Sequence, residues 1–291
     1  MQDNLGMEKI HEYKAYYLHG KDFIDRFATH RFLKIFKNKY AKENNISPND
    51  LELKFISFGH YATVFVLKNK EDYKTILVGS PHLKFGTTKK EADLLKHFNN
   101  IENSIIAPIM YYKLENKLFK RELFVTPYIY QARAISNFKD KFGIFIPEPE
   151  YRFEETTAEQ TQAIKTCIIA KLVASFDDKN NLGLSDVQVI SGDFIMEKGW
   201  ETLSPTLQNT FDKMKIISAR DTIHCTFNEY LELIKKEFTK LTSCYECNFL
   251  ANHDYIINTC SEIPFTPQEI ENGIKLGMEK RKSKGIDCMQ K

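Results

Sequence analysis

Leu51-Glu52-Leu53-Lys54-Phe55-Ile56-Ser57-Phe58-Gly59-His60-Tyr61-Ala62-Thr63-Val64-Phe65-Val66 is the stretch on which the fold turns. Upstream of it, apolar residues fall at helical intervals; from Leu51 they alternate, at Leu51, Leu53, Phe55, then Val64 and Val66, and later Ile76 and Val78. Alternation sends every second side chain to one face of a strand, so three strands are expected, with Asn69-Lys70-Glu71-Asp72 turning the second into the third.

Downstream, Lys89 to Phe98 places Ala92, Leu94, Leu95 and Phe98 on one helical face, and strands fit Ile109 to Leu114 and Glu122 to Tyr128. The order is therefore three strands, one helix, two strands. Upstream, Phe23, Ile24, Phe27, Phe32, Leu33 and Phe36 predict two helices within residues 7–43, ended by Asn44-Asn45 and Ser47-Pro48-Asn49-Asp50. The lysines of that region read as a solvated helix face. After Pro147-Glu148-Pro149-Glu150 the chain turns helical. Thr156 to Ser175 carries caps at Thr156-Thr157 and an apolar face of Ile164, Ile168, Leu172 and Val173. Short strands and turns run through Asp221. Helices follow at Thr226 to Leu241 and at Pro267 to Lys282, the latter opened by Thr266-Pro267.

The chain has 291 residues, 42% of them hydrophobic, enough to bury a core without disulfides or metal. Lys and Arg total 41 against 39 Asp and Glu, a formal charge of +2, which gives no strong field toward nucleic acid or an anionic membrane. The six cysteines, Cys167, Cys225, Cys244, Cys247, Cys260 and Cys288, are irregularly spaced and read as free thiols in a reducing compartment. The start Met1-Gln2-Asp3-Asn4-Leu5 lacks the layout of a secretory signal, and the longest apolar stretch, Cys167 to Phe176, is short and broken by Lys171. A cytoplasmic location, in its own cell or in a host, is expected.

Ile56 to Phe65 resembles the glycine-rich loop of the protein-kinase and aminoglycoside-phosphotransferase superfamily, in which small residues let backbone N–H groups approach the ATP phosphates. Ser57, Gly59 and Ala62 stand where that family has three glycines, with His60 inside the loop, and Val64 stands where a valine packs on adenine. Lys89 to Lys96 resembles the first large helix of the small lobe, Glu91 standing for the glutamate that pairs with a strand lysine. Ile105 to Ile109 resembles the entry to the fourth strand. Leu123 to Tyr128 resembles the fifth strand entering the interlobe hinge, with Thr126 and Tyr128 beside the nucleotide. The resemblance covers Leu51 to Ile135 best. It implies an α+β, bilobal kinase-like fold: an N-terminal helical extension (1–50), a small antiparallel-sheet lobe (51–130) and a mainly helical large lobe (131–291). It also implies ATP and Mg²⁺ as cofactors. One departure stands out: Thr75 to Gly79, which matches the third strand, lacks the phosphate-binding lysine. Lys68, Lys74 and Lys84 flank it, or phosphate binding has been lost.

In the large lobe the family needs an aspartate for the acceptor hydroxyl and an asparagine and aspartate for Mg²⁺. Residues 177–194 admit three alignments. In one, Asp177 or Asp178 opens the catalytic loop, Asn180 or Asn181 follows as the metal asparagine, and Gly192-Asp193-Phe194 is the metal site. In another, Leu184-Ser185-Asp186 replaces the catalytic triplet and Asp193 holds metal. In the third, Ser191-Gly192-Asp193 replaces it, and Asp221, after a strand from Met214 to Ile217, holds metal. Asp193 has a role in all three, and Asp186 is the second candidate. Each also reads as a turn aspartate, since Asp beside Gly or Ser is common turn chemistry.

Cys244, Cys247, His253 and Cys260 have the ligand types of a Cys₃His zinc site, but the second pair lacks tight spacing, so they read as free thiols. His224-Cys225 has no orienting third group and reads as structural. Two functions follow from the resemblance: transfer of the ATP γ-phosphoryl group to a hydroxyl of an unidentified protein or small-molecule acceptor, or a pseudokinase that binds without transfer.

Overall fold

The computed structural model describes residues 20–58, 62–69, 75–81, 88–115, 120–127, 133–136, 150–152, 156–185, 187–188, 194–197, 199–239, 257–258 and 265–285. The chain is α+β and divides into two compact units between which it passes several times, first between Ala92 and Asp93 within one helix.

The first unit contains helix α1 (Gly20–Glu43), a 3-10 turn (Pro48–Asp50) capped by Ser47, and five strands. The strands are β1 (Leu51–Phe58), β2 (Ala62–Asn69), β3 (Thr75–Pro81), β4 (Met110–Glu115) and β5 (Lys120–Pro127). They form one antiparallel sheet in the order β1-β2-β3-β5-β4. Phe32, Leu33, Phe36 and Ala41 of α1 pack with Leu51, Leu67, Tyr112, Leu123 and Val125 of the sheet. The one-turn spacing of Phe32 and Phe36 brings both rings to Tyr112, at centroid distances of 5.8 and 5.5 Å. The lysines of α1 do more than solvate it: Lys39 lies 4.5 Å over the Tyr112 ring, and Lys37 Nζ donates to the Leu51 carbonyl at 3.2 Å. Of the two helices expected before Asn44, the described residues contain α1.

Helix α2 (Thr88–Asn99) crosses the boundary, and its Leu94, Leu95 and Phe98 belong to the core of the second unit. That unit contains β6 (Arg133–Ser136), β7 (Glu150–Arg152), α3 (Ala158–Ala174), β8 (Leu182–Ser185), β9 (Val187–Gln188) and β10 (Phe194–Met196). There follow α4 (Leu207–Lys213), β11 (Met214–Ile216), β12 (Asp221–His224), α5 (Phe227–Thr239), β13 (Ile257–Asn258) and α6 (Pro267–Ser283). The strands form a sheet of order β11-β10-β6-β7 and two pairs, β12-β8 and β13-β9. Among the described residues no helix is long and apolar enough to cross a membrane.

Helix α3 begins at a capping box: Thr157 Oγ1 accepts from the Gln160 N–H while the Gln160 side chain accepts from the Thr157 N–H. Its single expected apolar face needs correction, because every residue from Ala163 to Ala174 is buried, Lys165 and Lys171 included. The cause is close packing on a second side by α6. An added Cβ at Gly273 or Gly277 would lie 2.7 or 2.6 Å from Ile169 Cβ or Val173 Cβ. Only glycine permits that approach.

Candidate functional site

The candidate residues fall in both units, and each group is positioned by its own strands. In the first unit the β1–β2 register shifts between Phe55 and Ser57, after which Ser57 pairs with Val64 and Phe58 with Thr63. Val64 pairs on its other side with Gly79 of β3, and Gly79 with Phe124 of β5. Ser57, Val64, Gly79 and Phe124 thus form one row across the sheet, with a glycine where a side chain would otherwise stand. An interior strand glycine of this kind suits close approach by a ligand. Ala62 pairs with Pro81, the last residue of β3, and no residue of β3 is a lysine. Thr126 is buried and pairs with Leu77. Glu91 is half-buried in the first turn of α2. Gly59, His60, Tyr128, Lys74 and Lys84 lie outside the described residues.

In the second unit the turn after α3 gives Asp177 and Asp178 structural partners. Asp177 and Leu182 exchange backbone hydrogen bonds of 2.8 and 3.0 Å, with Asn181 in the left-handed region at φ 51°. The Asp177 carboxylate accepts from the Asn180 N–H (3.2 Å) and Asn180 Nδ2 (2.6 Å), and meets His97 Nε2 at 2.7 Å. Burial opposes its ionisation, but the hydrogen bonds from Asn180 and His97 outweigh burial and hold it below the usual carboxylate range. Asp178 pairs with Arg281. Asp177 is thus engaged within the turn, and Asp178 with Arg281 of α6.

The other two alignments meet at the β8–β12 pair. Its register sets Asp221 opposite Ser185, the residue that precedes Asp186 in the chain. Asp221 is half-buried, and its Oδ1 accepts from the Thr222 N–H at 2.9 Å. Phe194, which follows Asp193, pairs with Ile216 at the end of β11, five residues before Asp221. Asp186 and Asp193 lie outside the described residues, as do Cys244, Cys247, His253 and Cys260. Among the described residues no three His, Cys, Asp or Glu side chains gather to hold a metal ion.

Strand β8 is held from behind by Tyr230 of α5. Its buried hydroxyl donates to the Leu184 carbonyl at 2.8 Å, and its ring lies where a side chain at residue 183 would be, 2.2 Å from an added Cβ. Neither Tyr230 nor Gly183 carried a signal in the sequence. Cys167 and Cys225 are free thiols; Cys167 is buried, which pushes its thiol up to about 12.

No protein-family model and no curated protein sequence matches the chain. Among solved structures, the chain has a weak likeness to "Crystal structure of BubR1 kinase domain", with a TM-score of 0.39 and 13% identity. The match covers 60% of this chain and 47% of the other, about half of that chain's length.

Proposed function

We propose that the chain is a kinase-like module that binds a nucleotide without carrying out efficient phosphoryl transfer. The observation that carries this reading is β3. It is the central strand of a sheet ordered β1-β2-β3-β5-β4, and it runs from Thr75 to Pro81 without a lysine. Transfer of a γ-phosphoryl group rests on positioning and charge neutralisation, so loss of that ammonium removes an electrostatic contribution while leaving a surface on which a base can stack. The row Ser57-Val64-Gly79 supports the binding half of the reading. Bound nucleotide would supply phosphates, and Mg²⁺, if required, would fall to Asp221 with Asp186 or Asp193.

A second reading, an atypical phosphotransferase acting on a hydroxyl, is favoured by one observation, the register that sets Asp221 beside the residue before Asp186. The two separate in one preparation. A nucleotide at ten times its dissociation constant contributes about 1.4 kcal/mol, which raises the melting temperature by about 2–3 °C in a chain of this size. The proposal expects that shift with ATP even without Mg²⁺, no ATP consumption with Mg²⁺, and a Mg²⁺-free shift unchanged by Asp193→Ala. Turnover that disappears in Asp193→Ala selects the enzyme, and absence of a shift with ATP or ADP, with or without Mg²⁺, overturns both.

A further inference from the structure

Lys171 stands in the middle of the buried face of α3, and its side chain is 1% exposed. Its Nζ lies 3.6 Å over the centroid of the Phe211 ring and 3.9 Å from Glu102 Oε1, too far for a hydrogen bond. Glu102, equally buried, accepts from the Ser104 N–H at 3.1 Å through that same oxygen and gives its other oxygen to Lys284, just beyond α6. Lys284 also donates to the Ile101 carbonyl at 3.1 Å and is one-third exposed.

The other charged or ionisable groups around Lys171 come from each packed element. Cys167 lies on α3 itself, Asp212 on α4, Lys215 on β11 and Lys280 on α6. Asp212 pairs with Lys280 at 3.7 Å and Lys215 with Glu197 at 3.6 Å. One carboxylate, Glu102, is therefore shared by two ammonium groups, of which the buried one has the poorer geometry. A buried ammonium in that position sheds its proton most readily. Burial lowers Lys171 from the ordinary lysine value to about 7, with Glu102 opposing the fall.

We propose that Lys171, Glu102 and Lys284 form a proton-operated latch between α3, the segment after α2 and the end of α6. With Lys171 neutral, Glu102 belongs to Lys284 alone and clamps the end of α6 to residues 101–104. With Lys171 charged, the carboxylate is divided and the clamp loosens. The clamped segment is also tied to β11, since the Ile216 N–H donates to the Ser104 carbonyl (3.1 Å) and the Ile106 N–H to the Ile216 carbonyl (2.8 Å). Strand β11 leads into residues 217–220 and so to Asp221. That last link to the candidate site rests on the function proposed above; the latch itself does not.

The direction of the pH effect follows from linkage. Lys171 holds its proton less tightly when folded, so between about pH 7 and its ordinary value the unfolded chain binds more protons and stability rises with pH; below about pH 7 both states are protonated and the contribution is flat. Urea unfolding of the full chain and of Lys171→Met between pH 6 and 9.5 reads this directly. The unfolding constant of the native chain, relative to the variant, should fall by up to about tenfold per pH unit above about pH 8. Equal slopes in the two proteins would overturn the proposal. Division of Glu102 is read by Lys284→Met made in both backgrounds. At pH 6.5 it should be at least about tenfold more damaging with Met at residue 171 than with the native lysine, because Glu102 then has no cation left. A double variant that fails to fold while both singles fold is the extreme of that result, and additive effects would sink the shared-carboxylate arrangement. Nucleotide binding enters neither readout, so the latch and the proposed function stand or fall separately.

Discussion

Replacing Gly277 by alanine sets a general gain against a local clash, and the structure decides which wins. In an exposed helix the change stabilises by about 1 kcal/mol, because alanine loses less backbone freedom on folding. Here the new methyl would lie 2.6 Å from Val173 Cβ and 2.8 Å from the Ala170 carbonyl oxygen. Neither is the free end of a flexible side chain, so α3 and α6 must separate along their contact. Overpacking of this kind costs about 1–3 kcal/mol, and because both obstacles are fixed to the α3 backbone the upper part of that range applies. The net expectation is a loss of about 1–2 kcal/mol, or a fall in melting temperature of about 2–3 °C. The assay is urea unfolding followed by far-ultraviolet circular dichroism. Gly285→Ala is the comparison, because nothing lies within 4 Å there and its positive φ of 77° alone is strained. A Gly277→Ala protein as stable as the native one, or more so, would refute the claim that the α3–α6 spacing is set by glycine.

Tyr230→Phe keeps the ring against Gly183 and removes the hydroxyl, leaving the Leu184 carbonyl without its buried donor; a loss of about 1–2 kcal/mol in the same unfolding assay is expected, and no loss would mean that Tyr230 acts by packing alone. Asp177→Asn should flatten the acid limb of the stability curve. A carboxyl held below its ordinary value when folded stabilises the native state above that value and loses the contribution as pH falls through the lower one, so the native chain should weaken below about pH 4 more steeply than the variant.

The elements legible in the sequence are those whose side-chain period runs for several residues. The alternation through Leu51, Leu53, Val64, Val66, Ile76 and Val78 matches β1 to β3, and the cap before Pro267 matches the start of α6. β9, β10 and β13 have two or three residues each, too few to establish any period, whereas the apolar run at Met214 to Ile217 matches β11. The burial of α3 was hidden by Lys165 and Lys171, which look like solvent positions until Glu269 and Glu102, distant in sequence, are brought to them. The interruption at Lys171 was the one cue. At the candidate site, Asp193 and Asp186 are the first choices from sequence and lie outside the described residues, and Asp177, Asp178 and Asp221 stand as alternatives, because an aspartate in a turn and an aspartate at a metal look alike until their hydrogen-bond partners are known. Asn180 and His97 partner the first, Arg281 the second, and the β8–β12 register sets the third opposite Ser185.

Those buried charges also set how α3 and α6 lie together. Lys165 meets Glu269, Thr166 and Ile169 face Gly273, Ala170 and Val173 face Gly277, and Arg281 reaches the Val173 and Phe176 carbonyls. Residue numbers rise together along both helices, so the pair is parallel. Parallel neighbours align their dipoles, placing like partial charges side by side at each end. The ends carry the compensating groups: Glu269 in the first turn of α6, and Arg281 on the last carbonyls of α3, held in turn by Asp178. Removing Glu269 takes its carboxylate from the buried Lys165, and removing Arg281 takes a buried donor from the Phe176 carbonyl, whereas the glycines between them determine only distance. The contact should therefore tolerate small changes in spacing better than loss of Arg281, since a shifted helix keeps its pairs whereas the Phe176 carbonyl, buried at the end of α3, loses its charged donor outright.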